Sequence, residues 1–305
     1  MVNLNDFHPT KCVICDTFGN ATEIYPANFD LEAFNPGIFS ARRLPDRIHY
    51  RIIRCKVCGL VRSDPVVNRR ILASLYTQSS FSYADEAINS RYAYGRYLDR
   101  LNKYLTEKNT LLEIGCGNGF FLEEAIARGY KNVLGVEPSI DALNKANPSI
   151  RRSIINDVMR PGLFEPDRFD VICMFQVLDH IPDPEIFLKE CFSVLKPGGL
   201  VLCLNHNIEA LSAYFFKENS PIVDIEHTYL YSPKTISKVF SLRGFKILET
   251  GSVLNNYTLH YLVRLLPMPR QLKNKILSVL SSSLIGRLRL AVPLGNLYLI
   301  AQKPK

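Results

Sequence analysis

The sequence has no apolar run long enough to cross a membrane, since no stretch reaches about 18 uninterrupted apolar residues. The N-terminal segment MVNLNDFHPTKC lacks the apolar core of a signal peptide. There is also no internal repeat and no low-complexity tract. With 47% hydrophobic and 22% charged residues, the 305-residue chain has the composition of a folded globular protein. We therefore expect a cytoplasmic location.

Acidic residues are missing from one segment, residues 251–305, which contain no Asp or Glu. The basic residues of this segment are Arg264, Arg270, Lys273, Lys275, Arg287, Arg289, Lys303 and Lys305. They account for the whole net charge of +8, so residues 1–250 are formally neutral. Two interpretations stay open: a pair of helices packed on the core, or peripheral contact with an anionic membrane surface through 257–290 at the inner face of the membrane.

The eight cysteines fall into two groups. The first group forms two CxxC pairs, Cys12 with Cys15 and Cys55 with Cys58, and in a reducing compartment such pairs favour a metal over disulfides. Four thiolates predict a closed tetrahedral Zn²⁺ site of structural type, which requires segment 16–54 to fold back on itself; a redox pair is the alternative. The second group, expected to be buried thiols, comprises Cys116, Cys173, Cys191 and Cys203.

The order of apolar segments predicts an α/β fold. Residues 66–106 show helical periodicity and many aromatic side chains. From Thr110 onward short apolar strands alternate with helices, and the run Phe169–Phe175 is apolar enough for a strand buried on both faces. Strands that alternate with helices predict a parallel, doubly wound sheet.

A glycine-rich loop follows the first strand of this sheet. The sequence is Glu113-Ile-Gly-Cys-Gly-Asn-Gly119, so the glycines are spaced GxGxG, and Phe120 stands where a dinucleotide-binding GxGxxG motif has its third glycine. Glu137 ends the next strand and can accept hydrogen bonds from ribose hydroxyls. S-adenosylmethionine (SAM) has no pyrophosphate to cradle, and Glu113 can offset its ammonium group. The loop therefore favours SAM over NAD.

Five motifs in this order resemble those of the class I SAM-dependent methyltransferases. They are LLEIGCGNG (111–119), GVEPS (135–139), ND (156–157), FDVICMFQVLDHIPDP (169–184) and LKPGG (195–199). The resemblance implies a Rossmann-like sheet of seven strands in the order 3-2-1-4-5-7-6, with the last strand antiparallel. It also implies methyl transfer from SAM.

The resemblance implies site residues as well. Glu137 would hold the ribose, Asp157 would accept the adenine amine, and the Val158 N–H would donate to the adenine ring. The cofactor-binding residues predicted in this way are Glu113, Gly115, Cys116, Gly117, Gly119, Glu137, Pro138, Asp157, Val158, Phe175 and Gln176. A hydroxyl or carbon acceptor needs a base near neutral pKa, for which His180 and His227 are the two candidates.

We expect three regions: a zinc-binding module at 1–65, an aromatic helical connector or cap at 66–106, and a methyltransferase domain at 107–305 with a basic helical insertion at about 255–292. The module resembles those of sugar C-methyltransferases and related surface-polysaccharide enzymes, which implies a sugar, nucleotide-sugar or glycolipid acceptor. Two alternatives stay open. One is an RNA methyltransferase that binds RNA through the module and the basic tail, and the other is an inert SAM-binding scaffold protein.

Overall fold

The computed structural model describes the chain at residues 2–31, 34, 47–78, 87–105, 107–260, 263, 270–281, 283 and 285–305. Arg264 and parts of the predicted module, connector and membrane-facing segment lie outside these residues. Within the described ranges, no helix is long and apolar enough to span a membrane.

The strands are β1 Phe7–His8, β2 Ala21–Tyr25, β3 Ile52–Cys55, β4 Val61–Ser63, β5 Val66–Val67, β6 Thr110–Ile114, β7 Asn132–Val136, β8 Ile154–Ile155, β9 Phe169–Phe175, β10 Leu195–His206, β11 Tyr229–Leu230, β12 Lys246–Ser252, β13 Asn255–Thr258, β14 Arg289–Val292 and β15 Asn296–Gln302. The α-helices are α1 Arg69–Thr77, α2 Ala87–Arg100, α3 Phe120–Ala127, α4 Ile140–Asn144, α5 Pro148–Arg151, α6 Pro184–Val194, α7 Leu211–Phe216, α8 Pro233–Ser241 and α9 Arg270–Ser281.

The central element is a sheet whose described part has seven strands in the order β12-β15-β10-β9-β6-β7-β8. Strands β8, β7, β6, β9 and β10 run parallel, and β15 is antiparallel to both β10 and β12. Numbered along the sheet, this is the order 3-2-1-4-5-7-6, so the predicted fold class is confirmed. As predicted, β9 is buried along almost its whole length, because helices cover both faces of a parallel sheet.

Helix boundaries follow local capping signals in the sequence. The Ser139 side chain accepts a hydrogen bond from the Ala142 N–H at the start of α4. Asp183 caps α6, where Pro184 occupies the first turn. Ser232 and Thr235 form a capping box at α8. These caps fix where each helix begins.

A smaller sheet, in the order β11-β4-β3-β2 within the described residues, forms the N-terminal region. Segment 16–54 folds back as expected, since Ala21 on β2 pairs with Cys55 on β3. The fourth strand comes from far along the chain: Tyr229 on β11 pairs with Arg62 on β4. The N-terminal sheet is therefore completed by a segment of the methyltransferase region.

The segment expected to be a helical insertion, at about 255–292, contains strands as well as a helix. The segment begins and ends on two antiparallel strands, β13 and β14, with Asn255 opposite Val292 and Thr258 opposite Arg289. Helix α9 lies between them in sequence. Alternation over short stretches such as Asn255–Thr258 is a weak periodic signal, so the strand pairing could not be seen in the sequence.

A network of polar side chains joins α2 to the edge strand β12. Glu249 accepts hydrogen bonds from Arg100 (2.5 Å) and Lys103 (2.6 Å), and from the Tyr104 hydroxyl (2.8 Å). Burial opposes ionisation of Glu249, but these donors lower its pKa to about 2. The network fixes the end of the connector against the sheet.

Candidate active site

A cavity of about 610 Å³ opens at the carboxyl ends of β6, β7, β9 and β10. This is the edge at which doubly wound sheets bind ligands. Its walls include the glycine loop on one side and the three histidines His180, His206 and His227 on another. Helix α1 supplies a third wall through Arg69, Leu72, Ala73 and Tyr76. This volume lies in the ordinary range of small-molecule and cofactor sites.

The glycine loop turns sharply between β6 and α3. Gly115, Gly117 and Gly119 have φ angles of 70°, 55° and 79°, which lie in the left-handed region. A Cβ on Gly115 would stand 2.6 Å from Cγ2 of Val177, so any side chain there would collide with the β9 loop. Cys116 is buried at 1% exposure, as expected for a small filler inside the turn.

Glu113 is a buried carboxyl group with an orphaned oxygen. The residue is 3% exposed, and its Oε2 has no hydrogen-bond partner among the described residues. Burial, together with the charge of Glu137, raises the pKa of Glu113 well above its usual value. An ammonium group in the cavity would satisfy this oxygen and favour the ionised carboxylate.

Glu137 is held in place by the backbone of the glycine loop. Its Oε2 accepts the Gly117 N–H and its Oε1 accepts the Ser139 N–H, both at 2.9 Å. Burial raises the pKa of Glu137, although these two bonds oppose the rise. Each oxygen keeps a lone pair for a further donor, and Pro138 lines the cavity beside it.

Asp157 and Val158 line the cavity but are hydrogen-bonded to groups of the chain itself. The Val158 N–H donates to Asp157 Oδ1 (2.7 Å), and Arg160 donates to Asp157 Oδ2 (2.8 Å). The Arg160 guanidinium lowers the pKa of Asp157. The N–H predicted to reach an adenine ring is therefore occupied, and adenine binding would require the Asp157 side chain to turn.

The end of β9 carries an aromatic wall. Phe175 stacks on Tyr94 of α2 with ring centroids 4.1 Å apart, and Phe121 meets Phe175 edge-on at 4.5 Å. Gln176 follows with a left-handed φ of 56°, and its Oε1 has no hydrogen-bond partner in the described part of the chain. A strained non-glycine residue with an orphaned oxygen at a cavity wall suits a ligand contact.

Three histidines surround the buried carboxylate of Asp179, which lies just behind the cavity wall. His206 Nδ1 donates to Asp179 Oδ2 at 2.5 Å. His180 Nε2 lies 3.6 Å from Oδ1, and His227 Nε2 lies 3.8 Å from Oδ2. The Tyr76 hydroxyl is 2.8 Å from His180 Nδ1, which ties α1 to the cluster. The two predicted base candidates, His180 and His227, are thus brought together.

Burial sets the charge of this cluster. It lowers the pKa of His180 to about 3, and it lowers the pKa of His227, with the neighbouring His206 adding to the effect. Burial opposes ionisation of Asp179, but the three histidines hold its pKa well below the usual range. At neutral pH the cluster is therefore a carboxylate among neutral imidazoles of His180 and His227.

The loop that carries His227 is anchored on the N-terminal sheet. The Ser63 hydroxyl donates to the His227 carbonyl at 2.7 Å, and the Ser63 N–H donates to the Thr228 carbonyl at 2.9 Å. On the other side, the Thr228 N–H donates to the Asp179 carbonyl at 2.8 Å. The N-terminal sheet, the His227 loop and the end of β9 therefore form one continuous hydrogen-bonded unit.

The four predicted metal ligands lie together at the base of the N-terminal sheet. All four sulfurs of Cys12, Cys15, Cys55 and Cys58 lie within 4.8 Å of one another. The Cys12–Cys58 and Cys55–Cys15 sulfur pairs are 3.4 and 3.9 Å apart. Sulfurs bound tetrahedrally to Zn²⁺ at about 2.3 Å lie about 3.8 Å from each other, so the donor set fits that ion.

Sequence reasoning missed three side chains of the site: Tyr76, Tyr94 and His206. The apolar run of this part of the sequence ends at Leu204, whereas β10 continues to His206. Position at the carboxyl end of a parallel strand was the signal that could have identified this histidine. Tyr76 and Tyr94 belong to the aromatic connector, and no sequence pattern indicated which of its rings face the cavity.

The fold and the cavity define the class of protein. A sheet in this strand order, with a glycine loop and two acidic side chains at its carboxyl edge, is that of the class I SAM-dependent methyltransferases. Residues 86–250, more than half of the chain, match the family described as "Methyltransferase domain". The chain belongs to this family.

Curated relatives share this region. A ubiquinone biosynthesis O-methyltransferase of Rhizobium etli is 28% identical over 158 residues, which cover 48% of this chain and 63% of the relative. The protein of the same name from Coxiella burnetii is 31% identical over 144 residues, covering 43% and 58%. The chain therefore spans less than two thirds of the length of these relatives. A putative methyltransferase of Bacillus halodurans has 19% identity and a TM-score of 0.49, covering 68% of this chain and 99% of that one.

Proposed function

We propose that the chain transfers a methyl group from SAM to a hydroxyl or carbon of a small neutral acceptor. The observation that carries the proposal is that one cavity joins the glycine loop, with its orphaned Glu113 oxygen, to a buried Asp–His cluster. When bound, SAM supplies a methyl group activated by its sulfonium. The protein's main contribution is to align the acceptor with that methyl group, which supplies several kcal/mol.

Each predicted residue has a proposed role. Glu113 pairs with the ammonium of SAM, Glu137 accepts the ribose hydroxyls, and Asp157 accepts the adenine amine once its side chain has turned. Phe175 and Gln176 enclose the sulfonium region. The remaining predicted contacts are those of Gly115, Cys116, Gly117, Gly119, Pro138 and Val158.

The two histidines have a proposed role in proton transfer. His180 or His227 accepts the proton that a hydroxyl or carbon acceptor loses as its bond to the methyl group forms. Burial holds the pKa of both rings below the near-neutral value expected of this base, and the Asp179 carboxylate partly offsets that effect. Asp179 is a positioning residue that orients the imidazoles and stabilises the imidazolium. The two histidines line the acceptor side of the cavity, which is where such a proton would be released.

The charge of the cavity lining limits the classes of acceptor that can bind. Arg69 is the only Lys or Arg among the described residues that line it. The lining carboxyl side chains are Glu113, Glu137, Asp157, Asp183, Glu190, Asp224 and Glu226. Glu113, Glu137 and Asp157 are the proposed SAM contacts, and the other four carboxyl groups would repel the phosphate groups of an acceptor. We therefore propose that the acceptor is a hydroxyl or carbon of a sugar or glycolipid, in preference to a nucleotide-sugar or RNA. The names of the relatives denote O-methylation, which supports an oxygen as the methylated atom.

In the test, the protein is incubated with methyl-tritiated SAM and with extracts of neutral glycans, lipid-linked glycans or RNA. The measurement is the tritium transferred to each extract. We expect label in a neutral glycan or lipid-linked pool. The His180→Gln and His227→Gln variants should be examined in parallel, and at least one should lose about 100-fold in turnover at unchanged SAM affinity. Label confined to RNA would support the RNA alternative, and SAM binding without transfer to any pool would support the scaffold alternative.

We further propose a structural Zn²⁺ at the four cysteines and a cytoplasmic protein that contacts an anionic membrane surface through 257–290. Four side chains in or near this segment are strongly exposed and apolar: Val279, Ile285, Leu288 and Leu290. Exposed apolar side chains beside Lys and Arg, in a segment without acids, suit a lipid headgroup region. A glycolipid acceptor would be reached at that surface.

A further inference from the structure

Asp179, His206 and His227 converge on one point beside the cavity. One ligand atom from each lies within 4.8 Å of the other two. Asp179 lies on the 3-10 turn Leu178–His180 that follows β9, and His206 is the last residue of the neighbouring parallel strand β10. His227 comes from the loop before β11. Three independent elements thus bring two imidazoles and one carboxylate to the same edge of the sheet.

The hydrogen bonds leave acceptor atoms facing each other. His227 Nδ1 lies 2.8 Å from the Ile222 carbonyl; a carbonyl can only accept, so Nδ1 carries the proton and Nε2 carries a lone pair. That lone pair lies 3.8 Å from Asp179 Oδ2. Asp179 Oδ1 accepts no hydrogen bond from the described residues, although the side chain is 1% exposed. A cation bound at this point would offset the buried carboxylate charge and would be coordinated by the His227 Nε2 lone pair.

The orientation of His227 is that of a metal ligand. Histidines that bind metals donate their second ring N–H to a backbone carbonyl or a carboxylate, which fixes the free nitrogen toward the ion. The Ile222 carbonyl has this role for His227. The backbone on either side is also fixed, by Ser63 and by Asp179. Hydrogen bonds within the protein therefore hold His227 Nε2 toward the Asp179 carboxylate. This orientation does not depend on a bound methyl acceptor.

We propose that Asp179, His206 and His227 bind a divalent cation such as Mn²⁺, Fe²⁺ or Zn²⁺. Two imidazoles and one carboxylate are a recurrent ligand set for such ions and leave further positions open. The open positions border the cavity, because His206 and His227 line it. On the function proposed above, the cation would hold an acceptor with two adjacent oxygens, and His180 would remain as the base.

Small movements convert the present arrangement into a site. Ligand atoms around an ion at about 2.1 Å lie about 3 to 3.5 Å apart. The His206–Asp179 distance of 2.5 Å must lengthen and the His227–Asp179 distance of 3.8 Å must shorten, each by less than about 1 Å. His206 Nδ1 must also release its proton to solvent, so cation binding releases protons.

The test uses Mn²⁺ and the full-length protein, with its cysteine cluster first loaded with zinc. Mn²⁺ prefers nitrogen and oxygen ligands and leaves zinc on thiolates. Binding removes the six-line electron paramagnetic resonance signal of free Mn²⁺, so the bound fraction is read directly. We expect one saturable site per chain. No saturable binding would overturn the proposal.

Variants locate the site. His206→Gln and Asp179→Asn should weaken Mn²⁺ binding at least about tenfold. Because Asp179 is fully buried, its variant can fail to fold, and the partly exposed His206, whose side chain is 24% exposed, supplies the independent measurement. His8→Gln is the matched control, since His8 is an exposed histidine on β1. Unchanged binding in folded His206→Gln would place the ion elsewhere and overturn the proposal.

A second measurement separates this proposal from the proposed function. SAM binding is measured by calorimetry on the same zinc-loaded samples, with and without Mn²⁺. If the protein binds SAM but not Mn²⁺, only the cation-site proposal is rejected. Saturable Mn²⁺ binding that depends on His206, in a protein without affinity for SAM, supports the cation site and rejects the methyltransferase proposal.

Discussion

At Gly115, both the backbone conformation and the neighbouring Val177 exclude a side chain. Its φ of 70° is left-handed, and a Cβ would stand 2.6 Å from Cγ2 of Val177. We expect Gly115→Ala to weaken SAM binding at least about tenfold, because the loop must shift to relieve the contact. Isothermal titration calorimetry with SAM measures this loss.

The control for Gly115 is another left-handed glycine. Gly129 has a φ of 94° and nothing within 4 Å of an added Cβ. Gly129→Ala carries backbone strain of about 1 kcal/mol but meets no neighbour, so it should retain SAM affinity. Equal losses of affinity in both variants would show that general strain, and not the geometry of the loop, determines binding.

At the residue scale, the sequence predicted what depends on local pattern. Glu113, Glu137 and the glycines were found because a strand, a turn and a helix determine their spacing. His206 was missed because β10 runs two residues beyond the last apolar position. The hydrogen bond that occupies the Val158 N–H depends on the rotamer of Asp157 and has no signature in the sequence.

Among the elements, the pairing of β4 with β11 connects the cysteine cluster to the active site. Replacing Cys55 with Ser removes a ligand of the proposed zinc and loosens the sheet that holds the His227 loop. We expect turnover to fall at least about tenfold, while SAM affinity changes by less than about threefold, because misplacing the proposed base His227 costs alignment. Steady-state kinetics and calorimetry provide the two values.

Two Ser→Ala variants separate the effect of the contact between the N-terminal sheet and the His227 loop from the effect of the metal. Ser63→Ala keeps all four cysteines and removes only the hydrogen bond to the His227 carbonyl, so turnover should fall by an intermediate amount. Ser237→Ala removes a comparable side chain to backbone bond, to the Pro233 carbonyl inside α8, and should leave turnover unchanged. If Cys55→Ser loses SAM affinity as strongly as turnover, the module supports the whole domain and not the His227 loop.

On the scale of the whole molecule, charge is concentrated at one end of the chain. The excess of +8 lies entirely in residues 251–305. We expect binding to vesicles that contain phosphatidylglycerol, little binding to phosphatidylcholine alone, and a decrease as salt rises. Vesicle co-sedimentation measures it, and equal binding to both kinds of vesicle would contradict the proposal.

Charge reversals test where the proposed membrane-binding surface lies. Lys273→Glu with Lys275→Glu on α9 should weaken binding at least about tenfold, since each basic residue near an anionic surface contributes about 1 kcal/mol. Lys234→Glu with Lys238→Glu makes the same change in charge on α8, where both side chains are exposed, and should have a smaller effect. Equal losses in both double variants would indicate a response to net charge alone.

Which parts of the fold could be predicted depended on how long each sequence signal is. The central sheet was predicted in full, because five motifs in order determine it. The pairing of β13 with β14 and of β4 with β11 was not, because each involves strands of two to four residues. Such pairings depend on contacts between distant parts of the chain, which periodicity does not register.

The join between β4 and β11 also constrains how the protein is made. Arg62 and Tyr229 pair across more than half the length of the chain, so β4 leaves the ribosome long before its partner is synthesised. Until then β4 presents an open strand edge, which is a template for association with other chains. The knuckles at Cys12 and Cys55 are local and can close early. If the proposed zinc binds to the nascent chain promptly, β4 is already ordered when the His227 loop is synthesised. Without the proposed zinc, the chain would reach that stage with the strand edge unformed.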